Sequence, residues 1–253
     1  MRSWMTALLA GVVTAGGVAG QRRARDAFDH TQWNVPYRDG FTFVRLRYQE
    51  GFGGRFQRGN PGWAHDYPTA EHNFAKILNE VTLMHAREDG SNILMLDDPD
   101  LFRYPVAYLS EPGYWQMDEA ELAGFRAYLG KGGFMIVDDF RGRSQWAQFE
   151  SQVRLAFPEL HLIRLDESHP LFNAFFHVDS LDQFRHPYGA PGPTEFWALF
   201  EDNDPARRMM LIANYNNDIG DYMEFSDSGW LPIALTNEAY KLAVNYLIYA
   251  MTR

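Results

Sequence analysis

The spacing of apolar and polar positions changes several times along the chain, and each change marks an element. Phe134 to Val137 is an unbroken apolar run between Gly132-Gly133 and Asp138-Asp139. A run without alternation predicts a strand covered on both faces, and the glycines can take the left-handed backbone that closes a preceding helix. Val106 to Leu109 and Ile93 to Leu96 are shorter strands of the same kind. FTFVRLRY, Phe41 to Tyr48, sets Phe41, Phe43 and Leu46 imperfectly against Thr42, Arg45 and Arg47 and predicts the first strand. Helical spacing takes over elsewhere. Phe74, Ile77, Leu78 and Val81 mark a helix opened by Thr69. Leu122, Phe125 and Leu129 mark one that starts at a capping box of Asp118 and Glu121. Trp146, Phe149, Val153 and Phe157 form one stripe over 145–157. Tyr240, Ala243, Val244, Leu247 and Met251 form the buried face of a last helix, capped by Thr236 or Asn237.

Strands and helices therefore alternate, which predicts an α/β three-layer sandwich around a mainly parallel sheet. Val106 to Asp139 reads as strand, helix, strand, and such a unit crosses over right-handed. His161 to Leu165 is a further strand, and Phe196–Phe200 pairs with Met209–Ala213 across the polar turn 201–208. Two stretches lack a period. Ser168 to Tyr188, rich in Phe and His, reads as a loop layer over the sheet, and Asn214 to Glu224, NYNNDIGDYME, as a loop of Asx turns. With no repeat and no linker, 41–253 forms one domain behind a leader, 1–20, and a connector, 21–40.

Charge and composition narrow the function. The 253 residues carry 23 basic and 33 acidic side chains, a net charge of −10 that opposes a sequence-independent grip on nucleic acid. The absence of cysteine removes disulfides, thiolate nucleophiles and cysteine metal sites. Arg2 precedes an apolar stretch of about 17 residues, Trp4 to Gly20, that fits either a secretory signal peptide or an uncleaved anchor. Trp4, Leu8, Leu9, Val12, Gly16 and Gly20 would face the membrane, Gly16 and Gly20 at small-xxx-small spacing. Arg22, Arg23 and Arg25 after the segment would by the positive-inside rule slightly favour a cytoplasmic body, but the signal-like organisation places it outside, in the periplasm, tethered to the inner membrane if the leader is kept.

In α/β sheets ligands bind beyond the carboxyl ends of the strands. Asp138, Asp139, Glu111 and His65 are accordingly the catalytic candidates, and Arg45, Asp66, Asn216, Asp218 and Asp221 the candidates for holding a ligand. Adjacent residues at a strand end point in different directions, so Asp138 and Asp139 are not one acid–base dyad. The competing reading has these carboxylates capping a helix or pairing with Arg45 or Arg141. Asn214, Asn216 and Asp218 alternate like calcium ligands, but the EF-hand glycine position is Ile219 and the twelfth is Phe225. None of the eight histidines falls in a His-x-x-x-His or His-x-His pair, so spacing assigns no metal. The glycine-rich 51–62 lacks the dinucleotide frame, and nothing calls for a cofactor.

Five stretches together resemble a bacterial family known as domain of unknown function 4159: FTFVRLRY, WAHDYPTAEHNF, LDDPDLFRYPVAYLSEPG, GGFMIVDDF and ANYNNDIGDYMEF. The resemblance implies a fold similar to class I glutamine amidotransferase-like domains, which is flavodoxin-like, and no assigned activity. In active enzymes of that fold a cysteine sits on the turn after a central strand. Here Asp138, Asp139 and Phe140 take that turn, so thiol-based glutamine hydrolysis is excluded. With no nucleophile and 7 Trp, 13 Tyr and 19 Phe, the first expectation is a non-catalytic accessory subunit of a membrane assembly, an electron-transfer or photosynthetic complex for instance. A periplasmic hydrolase of a sugar or ester, using the strand-end carboxylates, is the alternative. A soluble ligand-binding module is the third.

Overall fold

The computed structural model describes residues 34–51 and 61–253. In chain order the first elements are β1 (Val44–Leu46), β2 (Gln49–Glu50), α1 (Thr69–Val81), β3 (Asn92–Leu94), β4 (Val106–Ser110) and β5 (Trp115–Gln116). Next come α2 (Glu119–Gly130), β6 (Phe134–Phe140), α3 (Gly142–Ala156), β7 (Ile163–Arg164) and β8 (Glu195–Phe200). The chain closes with β9 (Met209–Tyr215), α4 (Ile219–Glu224) and α5 (Ile233–Thr252). Seven strands form one sheet in the order β3-β1-β4-β6-β9-β8-β7, while β2 and β5 pair separately. The first five are parallel; β8 runs antiparallel to β9, and β7 to β8. From β1 the chain moves outward to β3 and then returns to β4 on the other side. That reversal puts a topological switch point at the carboxyl ends of β1 and β4, the crevice where α/β sheets bind ligands.

Helices cover both faces, so the α/β three-layer expectation holds. The apolar runs split between two cores: Val106, Tyr108, Phe134 and Ile136 face α1, α4 and α5, while Ala107, Leu109, Met135 and Val137 face α2 and α3. The aromatic load fills these layers, with Phe74 and Tyr246 in one and Trp115, Phe125 and Phe149 in the other. The glycine stop before β6 is a Schellman motif: Gly133 N–H donates to Tyr128 O at 2.9 Å and Gly132 N–H to Leu129 O at 3.2 Å, with Gly132 at φ 108°. Asp118 and Glu121 form the expected capping box of α2.

Several boundaries differ from the pattern. The first strand keeps only Val44–Leu46 of the expected 41–48, and Arg45 is fully buried because Glu71 pairs with it. The strand expected over 161–165 is only Ile163–Arg164. The stripe helix begins at Gly142, where Asn216 Oδ1 accepts the Gly142 N–H at 2.9 Å. The last helix begins at Ile233 behind Pro232, a turn earlier than Thr236, because proline's fixed φ suits a helix start. Its tail overshoots the sheet and leaves Met251 52% exposed rather than buried; Val81, at the end of α1, is likewise 36% exposed. The largest difference lies in Asn214 to Glu224, which continues β9 to Tyr215 and then forms α4 rather than a loop.

Candidate functional site

Four of these local features deliver side chains to the crevice between β1 and β4. Trp63-Ala64-His65-Asp66 turns into α1, the Asp66 carbonyl accepting the Ala70 N–H at 3.0 Å. Glu111 follows β4, and Asp138 and Asp139 stand before Phe140 at the carboxyl end of the fully buried β6. Asp218 caps α4 by accepting the Asp221 N–H at 2.9 Å, which fixes both carboxylates at the same place. A fifth segment, the loop before β8, adds His186.

His65 Nδ1 stands 2.8 Å from Asp139 Oδ2, 3.2 Å from Asp66 Oδ1 and 3.9 Å from Glu111 Oε1. The other Asp139 oxygen, Oδ1, lies 3.6 Å from His186 Nε2. Three His-carboxylate groups have their ligand atoms within 4.8 Å of one another: His65, Glu111 and Asp139; His65, Asp66 and Asp221; and Asp139, His186 and Asp218. Asp66, Glu111, Asp139, Asp218 and Asp221 are all buried, while the His65 side chain is 30% exposed and opens the group to solvent. Both carboxyl oxygens of Asp66 and of Asp221, Glu111 Oε2 and Asp218 Oδ2 have no hydrogen-bond partner among the described residues. Asp66, Glu111, Asp139 and Asn216 hold left-handed backbone at φ 65°, 50°, 57° and 58°. Strain of this kind costs about 1–3 kcal/mol per residue and concentrates where function demands a geometry. Close approach completes the wall, since a Cβ on Gly220 would stand 2.3 Å from Asp66 Oδ2.

Asp138 is different. Its Oδ1 accepts from Asn214 Nδ2 at 2.8 Å, and its Oδ2 from Tyr108 Oη, Ile219 N and Gly220 N at 2.8, 2.8 and 3.0 Å. It caps α4, and both of its oxygens are engaged within the protein. Arg45 donates to Glu71 at 2.5 Å and to the Trp63 carbonyl at 3.1 Å, so it steadies the turn that carries His65. The weak calcium set does not converge: Asn214 Oδ1 accepts from Tyr246 Oη, and Asn216 Oδ1 from the Gly142 N–H. Only Asp218 of the three joins the cluster.

The electrostatics follow from burial. Burial, with the charges of Asp139 and Asp66, pushes Glu111 up to about 11. Burial alone would lower His65, but its hydrogen bond to Asp139 and the neighbouring carboxylates raise it to about 10. Asp66 and Asp218 are driven well above the carboxylate range by burial, and Asp221 is raised for the same reason. Burial would also raise Asp139; the hydrogen bonds and charges of His186 and His65 outweigh it and hold that carboxyl below its ordinary value. Asp138 sits near 6, where burial is opposed by the hydrogen bonds of Asn214 and Tyr108.

Of the residues singled out by sequence, His65, Asp66, Glu111, Asp139, Asp218 and Asp221 meet in the crevice, and Asp138, Arg45, Asn214 and Asn216 support it. His186 escaped notice because the aperiodic 168–188 stretch gave no face to place it on. The membrane candidates Trp4, Leu8, Leu9, Val12, Gly16 and Gly20 and the glycine-rich 52–60 lie outside the described residues. Among the described residues no helix is long and apolar enough to cross a membrane. A search of curated proteins finds no match. Residues 42–251 match the model of a family described as a domain of unknown function, DUF4159, and the chain belongs to that family.

Proposed function

We propose that the chain is a hydrolase whose reaction takes place in the crevice between β1 and β4. One observation carries this reading: His65, Asp66, Glu111, Asp139, Asp218 and Asp221 come from four separate segments to one buried surface, with several carboxyl oxygens unpartnered among the described residues. Unpartnered buried carboxylates oppose folding, and two of those here, Asp66 and Glu111, also sit on strained backbone, which supports a catalytic purpose. An acceptor-rich surface of this kind orients a water molecule, takes up its proton as the water attacks, and returns a proton to the leaving group. The strand order and the left-handed Asp139 near the end of β6 support the likeness to amidotransferase-like domains, in which Asp139 would correspond to the turn that carries cysteine.

The accessory-subunit expectation leaned on the missing nucleophile and the aromatic load. Most of those aromatic side chains line the two cores, so the crevice is the stronger guide to function. The test is hydrolysis of a panel of nitrophenyl esters, glycosides and phosphoesters, with divalent cations supplied. Wild-type protein should turn over at least one member, and Asp139→Asn should slow it by roughly 10²–10⁴. Wild-type rates equal to those of Asp139→Asn on every member would defeat the reading.

A further inference from the structure

We infer that the crevice is a binding site for a divalent transition-metal cation, with His65 Nδ1 and the carboxylates of the two triads it joins, Asp66 with Asp221 and Glu111 with Asp139, as the ligands on offer. The inference rests on the crevice geometry, and it goes beyond the hydrolase reading because cation binding can be measured whether or not a substrate is known. The first support is spacing. Ligand atoms that share one cation at about 2.1 Å stand roughly 3.0–3.4 Å apart in octahedral or tetrahedral geometry. The distances of 2.8, 3.2 and 3.9 Å from His65 Nδ1 to three carboxylate oxygens bracket that range.

The second support is the unmet demand of buried oxygens. Asp66 is 4% exposed and Asp221 0%, and apart from the 3.2 Å approach of His65 to Asp66 Oδ1 and the contact of the two carboxyls with each other, their four oxygens meet no donor among the described residues. His65 supplies at most one positive charge to four carboxylates, and Arg45 is already paired with Glu71. A divalent cation meets that demand in one step.

The third support is the outer layer. The oxygen of Asp139 that points away from His65 faces His186 Nε2 at 3.6 Å, while His186 Nδ1 accepts the Tyr188 N–H at 3.3 Å. That arrangement gives His186 a donor to turn toward Asp139, the kind of orienting partner that ligating carboxylates have. Ser110 Oγ adds a second donor to Asp139 at 3.5 Å. The mixed nitrogen and oxygen donor set suits Mn²⁺ or Zn²⁺ rather than Ca²⁺, which prefers oxygen alone. A cation held here supplies a Lewis acid and lowers the pKa of a bound water.

The full chain, stripped with chelator and dialysed, is titrated separately with MnCl₂ and ZnCl₂ by calorimetry, with bound metal counted by elemental analysis. The wild type should bind either cation in the micromolar range or tighter and melt at higher temperature when loaded. Asp221→Asn should bind at least tenfold more weakly, yet its metal-free form should melt a few degrees higher, because the substitution removes an unpartnered buried charge. A purely structural Asp221 would give the opposite shift. Failure of the wild type to bind either cation at millimolar concentration overturns the inference, as does equal binding by the variant. Hydrolysis by a wild type that binds neither cation would overturn the metal site and keep the hydrolase. Tight binding without turnover of any panel substrate would keep the metal site and overturn the hydrolase.

Discussion

Asp138 and Asp139 are neighbours in the chain and opposites in role. Asp138 accepts four hydrogen bonds, two of them from the first turn of α4. Asp138→Ala should therefore lower stability by about 3–5 kcal/mol, read by urea denaturation, because it orphans several buried donors at once. Asp139→Asn should leave the fold standing and remove activity. His186→Gln should weaken metal affinity roughly 10–100-fold while Asp139 stays in place, as loss of an outer-layer partner does. The pH dependence of the metal-free protein has a definite sign. Glu111 is raised from 4.5 to about 11, so between those values the folded state keeps a proton that the unfolded state releases, and stability falls as pH rises. His65, raised from 6.5 to about 10, adds stability that is complete below 6.5 and lost as pH climbs through 10. Both slopes run downward over the same interval. Denaturation in chelator should show lower stability at pH 9 than at pH 6, and a rise would contradict the burial of these groups. At this scale the sequence named most of the site, because ligands in α/β sheets bind beyond the carboxyl ends of the strands and these acidic residues stand there. It could not separate Asp138 from Asp139, since their directions are set by a left-handed residue in the strand.

α4 shows what local pattern cannot reveal. NYNNDIGDYME has no helical stripe, and its amides are capped by Asp218 within the segment and by Asp138 from 81 and 82 residues earlier in the chain. A tertiary cap of that kind leaves no mark in the segment itself. α2, by contrast, carries its own signals at both ends, a capping box and a Schellman motif, and was legible as written. Asp118→Ala should lower stability by about 1 kcal/mol, seen as a small drop in melting temperature with metal binding unchanged. Gly220→Ala should do the reverse. Its added methyl would press on Asp66 Oδ2 and Tyr108 Oη, so metal affinity should fall while α4, where alanine is favoured, survives. Circular dichroism paired with the calorimetric titration reads both.

Over the whole molecule, the strand-helix alternation disclosed the three layers, and the unalternating runs disclosed a sheet buried on both faces. The strand order was not legible, because it depends on which edge each crossover takes. That order matters most for function, since it places the β1–β4 reversal under Glu111 and His65. Amide hydrogen exchange should be slowest in β4, β6 and β9, at the centre of the sheet, and faster in the short edge strands β3 and β7. The ligands arrive from four segments, three carried by or following parallel strands and one by the turn into α1, so spacing rules built on single helices or hairpins could not find the site. The most direct measurement is anomalous diffraction from crystals of the full chain soaked in MnCl₂. A peak is expected within about 2–2.5 Å of His65 Nδ1 and of carboxyl oxygens from a triad that His65 joins, Asp66 with Asp221 or Glu111 with Asp139. A crevice without a peak, in crystals that carry Mn²⁺ elsewhere, would contradict the metal site.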